Sequence, residues 1–171
     1  MLQNHLARLL SDAEQHEAKD LLRELSYLPI AVVQAAACMN ASRMTVQEYR
    51  AQLDEHKDLA LRYSSDPLED NVRSSGATNP VATTLSVSID LITRSNAFAA
   101  DYLSLAACVD RKDISVDLLE AASLQRREDA IKVLDKYALV TRRPAESALD
   151  VHRLVHQALR ERLQVQGRLR R

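Results

Sequence analysis

His152 and His156 stand four residues apart, a spacing that puts two imidazoles on one helix face and suits an HxxxH zinc pair. The surroundings argue against a metal. Arg153, Leu154 and Val155 lie between them, so no carboxylate intervenes, a positive charge sits beside the would-be cation, and no third ligand is in view. No metal site is expected. A histidine at a helix start can still do other chemistry, because an imidazole N–H and the positive end of the helix dipole both favour an anion. Pro29 offers a flat apolar ring on a rigid corner. The plain alternative for each is structural: a proline suits the first turn of any helix, and a histidine there can simply cap it.

Catalysis has no candidate. No GxSxG elbow, Cys/His pair or matched carboxylates rise above the scattered charges. A phosphate cradle of the GxxxxGK[ST] kind needs glycines whose amides approach the phosphates, and neither Gly76 nor Gly167 has that context. Cys38 and Cys108 lie in Ala-rich apolar runs without CxxC spacing, so both read as buried thiols in a reducing compartment, and nothing supports a disulfide.

The elements that must position Pro29 and His152 follow from composition and periodicity. The 171 residues are 46% apolar and 27% charged, enough to build one or two small cores, and only 2 glycines and 4 prolines leave few turns. Helix must therefore dominate. With 23 basic against 24 acidic residues the net charge is −1, so nothing attracts the whole chain to nucleic acid or an anionic membrane. The N-terminus breaks its apolar run with His5 and Arg8, unlike a secretory leader, and no stretch would span a bilayer, so cytoplasmic residence is the default expectation.

Along the first third, helices are expected from Leu2 to Leu10, Glu17 to Leu25, Pro29 to Asn40, Thr45 to Leu53 and His56 to Tyr63. Leu21, Leu22, Leu25 and Leu28 recur at helical steps and form one apolar stripe. Pro29 fits a first helical turn, and Ser26, Tyr27 and Leu28 form the corner before it. Ile30 to Cys38 is nearly free of polar residues, so that helix should be buried on most sides, and Thr45 with Glu48 is a capping-box start. Residues 65–78 are rich in Ser, Asp and Asn and read as a linker between a helical bundle over 1–64 and a second domain over 79–171. There Asn79 and Pro80 open a helix carrying Leu85, Ile89 and Ile92. The next places Phe98, Tyr102, Leu105 and Val109 on one face. After a short segment from Ile114 to Ala122, a third helix runs from Arg126 to Tyr137 with Ala130, Leu134 and Tyr137 inward. Leu139 to Arg143 and Ala148 to Val151 then suit a β-hairpin. A last helix from His152 to about Gln166, with Val151, Leu154, Val155, Ala158 and Leu159 inward, is capped by Gly167. The fold class is thus mainly α: a helical bundle followed by a winged-helix domain with a small β-hairpin.

Two strings, LLRELSYLPIAVVQAAACM from Leu21 to Met39 and ALDVHRLVHQALRERL from Ala148 to Leu163, resemble the NB-ARC family of STAND-type signal-transduction ATPases. The likeness is strongest to its fungal, NLR-like members with tetratricopeptide tails. NPVATTLSVSIDL and ADYLSLAACVDRKDIS are similar to the opening helices of the winged-helix block in those members. The family's Gly-Leu-Pro-Leu-Ala motif is matched by Tyr27, Leu28, Pro29, Ile30 and Ala31, with tyrosine in place of glycine. Its Met-His-Asp motif is matched by Val151, His152 and Arg153, with arginine in place of aspartate. The resemblance implies that Pro29 packs against the adenine of ADP or ATP and that His152 reaches the β-phosphate of ADP. It also implies that the P-loop nucleotide-binding domain lies in another part of the intact protein, that the chain alone is not an enzyme, and that exchange to ATP exposes a self-oligomerising surface. The basic end, Gly167 to Arg171, then reads as a boundary before further repeats, although no tetratricopeptide period lies within the chain.

Two other classes compete. A stand-alone adaptor would use an apolar helix face to bind a protein and need no nucleotide. A DNA-binding winged helix would put Arg126 to Tyr137 in the major groove with Arg142 and Arg143 on the wing. Glu128, Asp129 and Asp135 on that helix would then face phosphates, which disfavours the DNA reading.

Overall fold

The computed structural model describes residues 2–7, 9–64, 79–118, 123–143, 145, 147–165 and 167. The expected linker, 65–78, lies outside the described residues. The chain divides into two compact units, Met1–Ser88 and Ile89–Arg171. The first unit holds α1 (Asp12–Glu24), α2 (Pro29–Ser42) and α3 (Val46–Ser64), and the division itself falls inside α4 (Pro80–Ser95).

The N-terminal segment forms only a 3-10 turn, Leu2–His5, rather than a helix to Leu10. Asn40 holds the following backbone, its amide donating to the His5 carbonyl at 2.8 Å and its Oδ1 accepting from the Ala7 N–H at 2.9 Å, while Leu2 is buried and Leu9 exposed. Helix α1 starts five residues earlier than expected. Ser11 and Glu14 form a reciprocal capping box there, satisfying amide donors that would otherwise be orphaned at the helix start. It buries Leu21 and Leu25, but Leu28 leaves the stripe and is 38% exposed, because the helix has already ended in a turn at Ser26 and Tyr27.

Helix α2 is the central element of this unit, with Ala31, Val32, Gln34, Ala35, Ala36, Cys38 and Met39 all buried, as its apolar run requires. It ends at Arg43 in the left-handed conformation. The expected capping box at Thr45 and Glu48 is made, both Thr45 donors reaching Glu48 Oε2 and Thr45 Oγ1 accepting from the Glu48 N–H at 3.2 Å. The two helices expected after it are one. The charged stretch between them does not break α3, because Lys57 pairs within the helix with Asp54 at 2.9 Å and across to α1 with Glu24 at 3.0 Å. Arg50 also binds Glu24, at 2.5 Å, so α1 and α3 are tied by ion pairs above a core of Val46, Tyr49 and Leu53.

Helix α4 opens as expected, with the Asn79 side chain accepting from the Val81 N–H at 3.0 Å and Pro80 in the first turn. Its buried Thr84 and Ser88 hydroxyls donate back to the Val81 and Thr84 carbonyls, which lets small polar side chains sit in a core.

The second unit comprises the end of α4, α5 (Ala97–Ala106), β1 (Ile114–Ser115), α6 (Leu124–Lys136), β2 (Val140–Arg143), β3 (Ala148–Val151) and α7 (Arg153–Val165). Asn96 and Ser123 cap α5 and α6, so α6 starts two residues ahead of the expected Arg126. The fold is mainly helical with a small antiparallel sheet, but the sheet has three strands in the order β1-β3-β2 rather than a bare hairpin. In the hairpin Val140 faces Val151 and Arg143 faces Ala148. The added strand places Ile114 opposite Leu149. Two residues are too short to show alternation, so β1 leaves no periodic signal.

The inward face of α5 is Phe98, Ala99, Tyr102, Leu103 and Ala106. Leu105 and Val109, expected beside them, are each 37% exposed, because the helix ends at Ala106 and Leu105 lies on its flank. Helix α7 buries Val155, Leu159 and Leu163, leaving Leu154 39% exposed at its first turn. Gly167 has φ +66°, the left-handed geometry that suits glycine after a helix, and its N–H bonds the Gln164 carbonyl at 2.9 Å.

Candidate functional site

Pro29 sits at the first position of α2, where its missing N–H leaves no bond unmade. The turn before it is fully hydrogen-bonded along the backbone: Ser26 N–H to Arg23 O, Tyr27 N–H to Leu22 O and Leu28 N–H to Leu25 O, at 2.9 to 3.0 Å. Leu28 is extended, at φ −68° and ψ 119°, as a residue before proline must be. Ser26 and Tyr27 take φ +52° and +55°. The matched motif's glycine position is thus a left-handed backbone, and this chain holds tyrosine there. Tyr27 is 55% exposed and Leu28 and Pro29 are exposed too, giving three consecutive apolar side chains that the first unit's core leaves in solvent.

His152 caps α7. Its Nδ1 accepts from the Leu154 N–H at 3.3 Å, which assigns the proton of the neutral ring to Nε2. The ring is exposed, as are Arg153 and Leu154 of the first turn. Val151 anchors the residue from the other side, being 2% exposed with its N–H bonded to the Arg111 carbonyl at 2.8 Å. Arg153 follows on the surface. His156 serves a different purpose. Its Nε2 lies 2.9 Å from the Val109 carbonyl and must donate to it, pinning α7 to the segment after α5. The two imidazoles therefore use different nitrogens for different partners, and no group of three or more metal-ligating side chains occurs among the described residues.

The arginines of α6 and of the β2–β3 hairpin are engaged. Arg142 Nη2 donates to both Glu128 oxygens, at 2.9 and 3.0 Å, and Arg143 pairs with Asp113 and, at 3.7 Å, with Asp150. Asp150 also accepts the Asp113 N–H, and this bond with the nearby Arg143 and Lys112 charges holds its carboxyl below the usual range. Arg127 pairs with Asp117, and the Arg126 guanidinium stands 5.1 Å above the Phe98 ring. Arg126, Arg127, Arg142 and Arg143, which a DNA-reading helix and wing would present to phosphates, thus each have a partner within the fold.

The two cysteines differ. Cys38 is buried, and burial pushes its thiol up to about 11 despite hydrogen bonds with Ser88 and Ser42. Cys108, expected to be buried, is exposed just past the end of α5, its thiol donating to the Ser104 carbonyl at 3.4 Å. Its Ala-rich neighbourhood reflects α5, which turns Ala106 inward and ends before Cys108.

The chain is similar to a nucleotide-binding leucine-rich repeat (NLR)-like protein of the fungus Hyaloscypha variabilis, with 35% identity over 115 residues. That match covers 64% of this chain and 11% of the relative, so the chain spans about a tenth of its length. No family model matches the chain, and no solved structure matches it. Among the described residues, no helix is long and apolar enough to cross a membrane.

Proposed function

We propose that this chain is the helical and winged-helix part of an NB-ARC-type nucleotide switch, acting in the cytoplasm and not an enzyme by itself. The observation that carries the reading is the state of His152. The residue that the resemblance assigns to a β-phosphate caps α7 through Nδ1, which leaves Nε2 to carry the ring proton, and it is exposed at the helix N-terminus. The donor chemistry suits the phosphates of ADP. On the other unit, the apolar corner at Pro29 suits an adenine ring. The similar fungal protein is named as nucleotide-binding, which supports the same class.

Lacking a GxxxxGK[ST] cradle, the chain would receive its nucleotide on a separate P-loop domain. The bound nucleotide would supply an anionic phosphate chain and a planar base. Pro29 would orient the base, and His152 would donate to the β-phosphate and retain ADP. In this reading α4, α5, β1, α6 and the β2–β3 hairpin, in that order along the chain, would make up the winged helix, and the small three-stranded antiparallel sheet supports it. Exchange for ATP would weaken the His152 contact and free a surface for self-oligomerisation.

A partner-binding adaptor is the second reading, favoured by the exposed Tyr27, Leu28, Leu105, Val109 and Leu154. ADP retention in the full-length protein separates the two: a switch holds ADP and loses it when His152 is replaced, whereas an adaptor holds none.

A further inference from the structure

Three carbonyls on alternate residues just past α5 are each taken by a donor from the stretch of chain that carries His152. Arg160 Nη1 donates to the Ala107 carbonyl at 3.2 Å, His156 Nε2 to the Val109 carbonyl at 2.9 Å, and the Val151 N–H to the Arg111 carbonyl at 2.8 Å. His152 lies between these anchors, one residue after Val151 and one helical turn before His156, and the His156 N–H bonds the His152 carbonyl at 2.9 Å. The four-residue steps from His152 to His156 to Arg160 put the two side-chain anchors on one face of α7, with His152 at its start. The His152 ring itself is exposed and has a long contact, 3.3 Å to the Leu154 N–H, which is too little to hold a donor in one place. Its position is set by the backbone on either side.

We infer that His156 is a positioning residue for His152, supported by Arg160: by tying α7 to residues 107–111, the two fix where the His152 N–H meets an anion. The inference rests on the phosphate reading of His152 above and adds the residues through which that contact is held. A donor aimed in advance has little freedom to lose when a phosphate arrives, whereas a donor released to sample several positions must first be ordered, which weakens the contact. The HxxxH spacing, which would suit a metal pair, thus divides into one imidazole that caps α7 and one that anchors the cap.

The test is a double-mutant cycle on the full-length protein, read as the dissociation rate of a fluorescent ADP analogue with thermal melting in parallel. His156→Leu keeps an apolar side chain of similar bulk and removes the donor, His156→Gln restores an N–H near the position of Nε2, and Arg160→Met removes the second anchor. His156→Leu should release the analogue roughly 2- to 10-fold faster, as the loss of one net hydrogen bond implies. Arg160→Met should act in the same direction, and His156→Gln should recover most of the wild-type rate. In a His152→Ala background His156→Leu should add nothing, because it acts through a ring already removed. If the melt shows that His156→Leu does not fold, Arg160→Met takes its place in the cycle. Equal acceleration in the wild-type and His152→Ala backgrounds would mark His156 as structural and overturn the proposal. Wild-type retention in His156→Leu while His152→Ala loses the analogue would leave the phosphate role of His152 standing and overturn the positioning role. If His152→Ala itself changes nothing, or the wild type binds no ADP, both readings fall together.

Discussion

Replacing His152 by aspartate and by alanine separates its two roles, because aspartate can cap a helix as histidine does here whereas alanine cannot. The Nδ1 contact to the Leu154 N–H is long, at 3.3 Å, so its loss in His152→Ala belongs to the weaker end of capping effects, ~0.5–1 kcal/mol. For a unit of the size of Ile89–Arg171 that lowers Tm by roughly 2–8 °C. His152→Asp restores an acceptor and places a negative charge at the positive end of α7, so its Tm should equal or exceed that of the wild type. Toward ADP the order reverses. Either variant removes a hydrogen bond to a charged phosphate, a loss of ~1.5–3 kcal/mol, or about 10- to 150-fold in retention. The aspartate adds like-charge repulsion of roughly 2–3 kcal/mol at about 6 Å and an effective dielectric near 20. ADP dissociation, followed by stopped-flow displacement of a fluorescent analogue from the full-length protein, should therefore be fastest in His152→Asp, the variant with the higher Tm of the two. A His152→Asp protein that holds ADP as the wild type does would refute the phosphate role. An aspartate variant that melts as early as the alanine variant would refute the capping geometry.

Other consequences follow from the fold itself. Thr45→Ala should destabilise the first unit by ~1 kcal/mol, through loss of the capping box with Glu48, as read from urea unfolding. Iodoacetamide at pH 8 should alkylate exposed Cys108 and spare Cys38, whose thiol burial pushes up to about 11, until denaturant is added, and mass spectrometry of the two peptides reads this directly. Tyr102 donates its hydroxyl to the Ser115 carbonyl at 2.6 Å, and burial raises it from 10.0 to about 12. The folded state thus disfavours the phenolate: the stability tied to protonated Tyr102 is complete below pH 10 and is lost as pH rises toward 12. Unfolding free energy, measured by urea denaturation across that window, should fall less steeply in Tyr102→Phe. Ala138, at φ +53° after α6, should accept glycine with a gain of up to ~1 kcal/mol, measured as a rise in Tm.

What the sequence made legible was governed by strong local rules. Pro29 at a helix start, the Thr45–Glu48 box, Asn79 with Pro80 and the Gly167 stop each follow from backbone chemistry that tertiary context rarely overrides. The hairpin is readable because two short strand candidates flank a turn-length gap, Pro144 to Ser147. Features set by contacts distant in sequence were not. The fusion of two expected helices into α3 depends on Lys57 meeting Glu24 of another helix, and strand β1 exists because Ile114 finds Leu149. The inward faces of α5 and α7 are each turned from the expected stripe because the ends of those helices, rather than their periodicity, decide which leucines reach the core.

For the site, the residue types were legible and their surroundings were not. Pro29 and His152 were singled out by type, position and resemblance, yet only the folded chain reveals the ring nitrogen that caps α7 and the solvent exposure of Tyr27 and Leu28. The pairing of Arg142 with Glu128 and of Arg143 with Asp113 likewise needs the sheet and α6 in place.

The most direct measurement is photolabelling of the full-length protein with 8-azido-ADP, followed by mapping of the modified peptides. Labelling within the Ser26–Ala31 corner, suppressed by excess ADP and reduced in Pro29→Ala, is the expected result. Competable label found only outside these 171 residues would leave the corner without a base contact and overturn the proposed adenine site.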